Sequence, residues 1–358
     1  MNSRPATITA LIIGTLVAIV GGLPPARKAA ISFLRGERSL TELVAWRNLG
    51  NQTPNKERTG LSPNSTSLAG AGPGSSGPNR DDSQPSAGDR QAEALLDRAI
   101  AMVEGCPSIA AKTRQSVDLL GKHLVGAGEY LEQRAGPGRM FRLELRVQVG
   151  DEPRTLLYVS NGRYFWRCES YQGKGTAERV DLERASLVQN DRGGTTQMGG
   201  MGQWPGLGGL PKLLRNLRDW FDFISVHETM LPDKKPAICL RGQWKTDRLA
   251  ALMPDPEAAR RSGSPPSLDD VPEHLPHFAL VFLDRDDLFP LRIEYRRRLP
   301  QPSLRLDGQT ESTIVTMDLF EVCLKVPFDE KRFRFDAANL EYSDQTERFL
   351  ERLGLSKR

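Results

Sequence analysis

The sequence predicts a mainly β protein with a few helices, its strands arranged as an antiparallel, meandering sheet. Three observations carry this. Met140–Val149 alternates with period two: Phe141, Leu143, Leu145, Val147 and Val149 point one way, Met140, Arg142, Glu144, Arg146 and Gln148 the other. Asn161-Gly162 separates two apolar runs, a hairpin signal because both residues tolerate positive φ. Strand-like segments outnumber helical ones, and several are joined by short turns.

The chain has 358 residues, long enough for one large domain plus tails. Its net charge of +4 argues against a nucleic-acid partner. The excess is local. Residues 1–58 hold eight Lys/Arg against three Asp/Glu, a net +5, which leaves the rest at −1.

In chain order, 1–25 is expected to be a signal peptide or membrane anchor, because Ile8–Val20 is an uncharged apolar run. Residues 26–48 interleave Ile31, Leu34, Leu40, Leu43, Val44 and Trp46 with Arg and Glu, the pattern of a basic amphipathic helix at a membrane surface. Arg27, Lys28, Arg35 and Arg38 follow the apolar run, whereas only Arg4 and the amino terminus precede it. That charge order would keep the following flank cytoplasmic, against the export that other features suggest. Residues 49–90 are poor in apolar side chains and rich in Ser, Gly, Pro and Asn, a composition that predicts a disordered linker. Residues 91–358 form the folded domain.

Within it, Gln91–Val103 has helical spacing. Ser116–Leu124 and Glu129–Gln133 read as strands, broken by Gly126 and Gly128. The alternating strand follows, then Thr155–Ser160 and Tyr164–Cys168 around the Asn-Gly turn. Further strands are expected over Phe221–Thr229, Ala237–Trp244, Phe278–Leu283, Leu288–Arg297 and Thr313–Val326. Helices are expected over Leu182–Val188, Leu210–Trp220, Thr246–Leu252 and Ser343–Leu353. Two long loops stand out: Gly193–Gly209, rich in Gly and Met, and the Pro- and Ser-rich Pro254–Pro276.

Enzyme signatures are missing. The sequence has no G-x-S-x-G elbow, no P-loop and no G-x-G-x-x-G after a strand, so no catalytic residue and no cofactor is assigned. His274 and His277 are spaced H-x-x-H, but no helical His-Glu pattern or nearby Cys completes a metal site, so no metal is assigned either. Cys106, Cys168, Cys239 and Cys323 are widely spaced and read equally as disulfide partners or small core residues. Arg296-Arg297-Arg298 reads as a solvated strand edge.

Gly128-Glu129-Tyr130-Leu131-Glu132-Gln133, Phe141-Arg142-Leu143-Glu144 and Leu157-Tyr158-Val159-Ser160-Asn161-Gly162-Arg163-Tyr164-Phe165-Trp166 together resemble the periplasmic lipoprotein carrier family, the LolA-like fold. Asn161 stands where that family has Asp, and the spacing from Gly162 to Trp166 is kept. Val326-Pro327-Phe328-Asp329 and Phe333-Arg334-Phe335 are similar to its closing strand and F-x-F element. The resemblance implies an incomplete antiparallel β-barrel, a curved sheet of about 10–11 strands capped by helices. It implies an envelope location and a concave face that takes lipid or lipoprotein acyl chains without catalysis. Arg142 matches the family's lid-latching Arg, though the Pro that usually follows is Leu143 here.

An acyl chain needs a dry, concave, apolar wall. Phe141, Leu143, Leu145, Val147, Tyr164, Trp166, Phe278, Leu280, Phe282, Phe289, Leu291 and Ile293 are the expected lining. Met198, Met201, Trp204 and Leu207 are the expected lid, since Met adapts to variable apolar partners. The alternative reading is a membrane-anchored envelope sensor or structural interaction domain of the same fold. A third, an enzyme using loop carboxylates, has no motif behind it.

Overall fold

The computed structural model describes residues 87–352 apart from 120–121, 137, 150–151, 172–173, 192–207, 253–267, 269–270, 273–274, 300–309 and 338–339. The segments 1–25, 26–48 and nearly all of 49–90 lie outside the described residues, as do Met198, Met201, Trp204 and Leu207. Among the described residues no helix is long and apolar enough to cross a membrane.

The chain opens with helix α1 (Ala87–Gly105). It buries Ala92, Leu96, Ala99, Ile100 and Val103, an i, i+3/i+4 stripe. Six strands then follow as a meander: β1 (Ser108–Leu119), β2 (Lys122–Ala135), β3 (Gly138–Val149), β4 (Glu152–Ser160), β5 (Tyr164–Tyr171) and β6 (Lys174–Asp181). Helices α2 (Leu182–Asp191) and α3 (Gly209–Trp220) lead to a second meander. It runs β7 (Phe221–Met230), β8 (Pro236–Trp244), helix α4 (Thr246–Leu252), β9 (Phe278–Asp284), β10 (Pro290–Arg298) and β11 (Glu311–Leu324). A 3₁₀ turn (Glu330–Phe333), β12 (Tyr342–Asp344) and helix α5 (Thr346–Arg352) complete it.

All twelve strands form one curved sheet in the order β12-β6-β5-β4-β3-β2-β1-β11-β10-β9-β8-β7. The two meanders join where β1 pairs antiparallel with β11. The sheet is unclosed, because its outer strands β12 and β7 are not paired with each other. The segment from β6 to β7 must carry the chain from one end of the sheet to the other, and α3 lies on that crossing. Helices α1 and α3 pack on each other and on β7. Their apolar faces share one core with inward residues such as Ile109, Phe141, Phe165, Val281 and Tyr295.

Several expectations are corrected. Strand β1 ends at Leu119 and β2 begins at Lys122, so Gly126 and Gly128 do not break the strands but lie inside β2. Those glycines mark a close approach rather than a turn. A Cβ on Gly128 would stand 1.7 Å from the Glu144 carbonyl oxygen of β3. The Asn161-Gly162 hairpin forms, but its loop has three residues. Asn161 Oδ1 accepts from the amides of Arg163 and Tyr164, and Gly162 alone takes positive φ. Strand β6 and the first half of β1 have no counterpart in the sequence reading. Phe328, Phe333 and Phe335 form no closing strand; they cover the outer face of the sheet, against Leu131, Met140 and Trp166. Arg296–Arg298 is not an edge, since β10 lies between β9 and β11. Arg296 pairs with Glu294, and Arg297 donates to the carbonyls of Val271, Pro272 and Leu275.

All four cysteines are free. Cys106 donates its thiol to the Ser108 carbonyl, and burial pushes the thiols of Cys168 and Cys239 up to about 12. Cys323 is exposed. Brief treatment of the native chain with a charged thiol reagent should therefore modify Cys323 alone, read as one mass increment. Rapid labelling of Cys168 or Cys239 would contradict this packing.

Candidate functional site: a clasped concave face

The twelve residues expected to line one wall divide between two faces. Phe141, Leu145, Val147, Phe289, Leu291 and Ile293 lie in the core on the concave side, and Leu143 packs against it. Tyr164, Trp166, Leu280 and Phe282 do not join them. Trp166 packs with Cys168, Ala177, Tyr164 and Phe335, while Leu280 and Phe282 pack with Ala237 and Cys239. Phe278 also faces outward, with the Arg241 guanidinium 3.7 Å from its ring centroid. The reason is parity. In β9 the inward residues are Ala279, Val281 and Leu283, and in β5 Phe165 faces in. Every β9 residue is buried, because its outer face is covered too.

The inward positions of β3 are odd-numbered, and they begin at Arg139. Arg142 is even, faces out and pairs with Glu144 at 2.8 Å. It has no contact with the helices. The arginine that hydrogen-bonds helix carbonyls is Arg139. Its Nη2 donates to the carbonyls of Val103 (2.8 Å), Glu104 (2.9 Å) and Cys106 (3.0 Å), at the end of α1. These are carbonyls a helix leaves without intrahelical partners, and a cation there also complements the helix dipole. Arg134 donates to the Glu104 carbonyl as well.

The other arm of Arg139 reaches Glu132 on β2, Nη1 to Oε1 at 2.6 Å. The Glu132 side chain is fully buried. Tyr130, its inward neighbour, donates its hydroxyl to Glu132 Oε2. At the start of α3, the Leu210 amide donates to both Glu132 Oε2 (3.0 Å) and the Tyr130 hydroxyl (2.9 Å). Gly208 and Gly209 at that terminus both have positive φ. A Cβ on Gly209 would come within 2.6 to 2.8 Å of the Glu132 carboxyl atoms, so only glycine lets the helix end seat on the carboxylate.

Tyr130, Glu132 and Arg139 thus clasp the end of α1 and the beginning of α3 from one point on the β2–β3 hairpin. Burial is the largest influence on Glu132 and holds its carboxyl above the usual range, against the opposing pull of Arg139, Tyr130 and Leu210. Burial and the adjacent carboxylate push the Tyr130 hydroxyl well above its ordinary value. Two further pairs join α3 to α1: Arg218 with Asp97 at 2.5 Å, and Arg215 with Glu104. Both are half-exposed, so each contributes little.

The sequence reading named Tyr130 and Glu132 only as part of a resemblance and missed Arg139. The available signal was a charge at each of two inward positions, Glu132 and Arg139, next to one hairpin.

The arrangement has no nucleophile–base pair. Among the described residues no group of three His, Cys, Asp or Glu stands where a metal ion could be held. His277 is buried, and its Nδ1 accepts from the Arg298 amide.

Fold and site together define a class: a long, unclosed sheet, antiparallel except where β12 pairs in parallel with β6, whose concave side is filled by helices held in polar contacts. No family model matches the sequence, and no curated protein matches it. Solved structures do match. One is MucB in complex with MucA(peri), 15% identical, TM-score 0.32, covering 69% of this chain and 60% of that one. Another is the lipoprotein LppX from Mycobacterium tuberculosis, 12% identical, TM-score 0.31, covering 67% and 98%. A third is a LolA superfamily protein from Nitrosomonas europaea, 10% identical, TM-score 0.26, covering 68% and 98%. A protein of the superfamily that Gly128–Trp166 resembles is thus among the solved structures this chain is similar to. Likeness at this level leaves the functional argument to the chain's own residues.

Proposed function

We propose that the domain binds an acyl chain or similar amphiphile, without catalysis, between its concave face and helices α1 and α3. The clasp is the observation that carries this reading. A helix that only completes a core needs apolar packing, and burying an ion pair there adds little net stability. Here one buried Glu–Arg–Tyr group secures both helices that occupy the concave side, and it grips them at their ends. Releasing a few hydrogen bonds at one point removes the buried polar hold on both, leaving their apolar packing and the half-exposed Arg215–Glu104 and Arg218–Asp97 pairs. The surface beneath includes Phe141, Leu145, Val147, Phe289 and Ile293, the apolar wall an acyl chain requires.

Residues 1–48 serve in this reading as the membrane attachment and 49–90 as the tether, placing the domain at the periplasmic face or elsewhere in the cell envelope. N-terminal sequencing of the mature chain separates a shuttle from a fixed sensor: cleavage near residue 25 supports the first, an intact Met1 in the membrane fraction the second.

The binding test is uptake of a fluorescent fatty acid, followed by stopped flow. Wild type should take up the probe saturably and slowly. Tyr130→Phe and Arg139→Lys, which weaken the clasp but keep its volume, should speed uptake severalfold. Absence of saturable uptake in all three proteins would sink the proposal.

A further inference from the structure

The concave face is not uniformly apolar. Inward residues of β1 are Ile109, Ala111, Thr113, Gln115 and Val117; the first, second and last belong to the core. Thr113 is fully buried and Gln115 is 3% exposed. Tyr295 of β10 is 1% exposed and also lies in the core, its ring near that of Phe221. The Thr113 Oγ1, Gln115 Oε1 and Tyr295 hydroxyl are all buried without a hydrogen-bond partner among the described residues. Burial pushes the Tyr295 hydroxyl far up, with no charged neighbour contributing.

Register places the three in successive inward rows at the centre of the sheet. One row runs Leu145, Gly128, Thr113, Leu319. The next runs Val147, Gly126, Gln115, Met317, Ile293, Val281, Leu240. The third runs Leu124, Val117, Val315, Tyr295, Ala279. Between β3 and β9 the rows are otherwise apolar or glycine; beyond β3 the first continues through Leu156 to Glu169 and the second to Arg154. Three polar groups in neighbouring rows, each left unsatisfied, are unfavourable in a core.

We propose that Thr113, Gln115 and Tyr295 form a polar anchor for the bound amphiphile, which is an oxygen-bearing acyl compound rather than a bare hydrocarbon. The two hydroxyls lie two rows apart, so each donates to a different ligand oxygen, and Gln115 Oε1 in the row between accepts from a ligand hydroxyl. A protonated fatty acid or a glycerol monoester supplies both functions. A site built to hydrogen-bond such groups rejects the analogue lacking them, because its own polar atoms are then left unpaired. This inference rests on the acyl-binding reading above, and its test keeps the two apart.

The full-length chain, stripped of lipid on a hydrophobic resin, is loaded with a fluorescent fatty acid and titrated with two competitors of equal chain length. One is a saturated hydrocarbon delivered from cyclodextrin, the other the corresponding monoacylglycerol. Wild type should prefer the monoacylglycerol by about tenfold or more, and the double variant T113V/Y295F by about twofold or less while still taking up the probe. If wild type takes up no probe, the acyl-binding reading fails and takes this inference with it. If the probe binds but wild type displaces it equally with both competitors, this inference alone is overturned. Thermal unfolding of ligand-free Y295F guards against a structural role. An unchanged or higher Tm fits a hydroxyl that awaits a ligand. A clearly lower Tm would mean that an internal water already satisfies it, and would overturn the anchor.

Discussion

Arg139→Ala should destabilise the domain by about 3–5 kcal/mol at pH 8, the range for removing one partner of a buried ion pair. The magnitude follows from what remains behind. Glu132 keeps a fully buried carboxylate with Tyr130 and the Leu210 amide but loses its cation. The carbonyls of Val103, in the last turn of α1, and of Cys106, just beyond it, lose the Arg139 donor that reached them. Chemical denaturation gives the size of the loss. Hydrogen exchange should give its location, with faster exchange at the end of α1 and the start of α3 before the central strands are affected.

The same variant has a pH signature. The Glu132 carboxyl is already raised by burial, and losing Arg139 removes a group that lowered it. A carboxyl whose folded value lies above its unfolded value takes up protons on folding. Its penalty is absent below the unfolded value and grows as pH rises through the folded one. The cost of Arg139→Ala should therefore shrink as pH is lowered from 8 and Glu132 takes a proton. The companion E132Q should remove most of that dependence, and the double variant should cost less than the sum of the two. A loss below about 0.5 kcal/mol for Arg139→Ala at pH 8 would remove the clasp from the argument.

Gly128→Ala should cost about as much or prevent folding, from a single methyl group, because no side-chain rearrangement relieves a clash with backbone. The added Cβ would lie 1.7 Å from the Glu144 carbonyl oxygen and 3.1 Å from the Leu145 Cα. Strands β2 and β3 would have to part at the level of Thr113, and the clasp sits on the same strand pair. Gly105→Ala is the control: nothing lies within 4 Å of its Cβ, and its effect should stay within about 0.5 kcal/mol. Comparable unfolding midpoints for the two variants would show that β2 and β3 are not so closely apposed.

Much of the fold is legible in the sequence, and the limits are specific. Strand β3 is readable because one of its faces carries charge and the other does not. Strand β9, Phe278–Asp284, is readable as a strand but not as an orientation, since both parities are apolar. Choosing Phe278, Leu280 and Phe282 as the lining selected the outer face. The missed β6 reads KGTAERVD and the first half of β1 SIAAKT, with too little apolar contrast to show a period. Gly126 and Gly128 signalled a special backbone position correctly, but the neighbour that made them necessary was β3.

The candidate site was less legible. Arg142 has the expected residue type at the position the resemblance implies, and one step of strand parity turns it away from the helices. Arg139 lies three residues earlier, with the parity that faces them.

The sequence alone determines that the chain is mainly β, where most strands and helices lie, and that no familiar catalytic motif is present. Those properties depend on neighbours within a few residues, through alternation, turn chemistry and helical spacing. Tertiary structure decides which face of each strand becomes concave, that β1 pairs with β11 to join the two meanders, and that Glu132 and Arg139 meet the ends of α1 and α3. The partners in that clasp are separated by about 35 residues on one side and 78 on the other. No local pattern encodes such a meeting; it follows only once the sheet has curved and the β6–β7 crossing has brought α3 over its concave side.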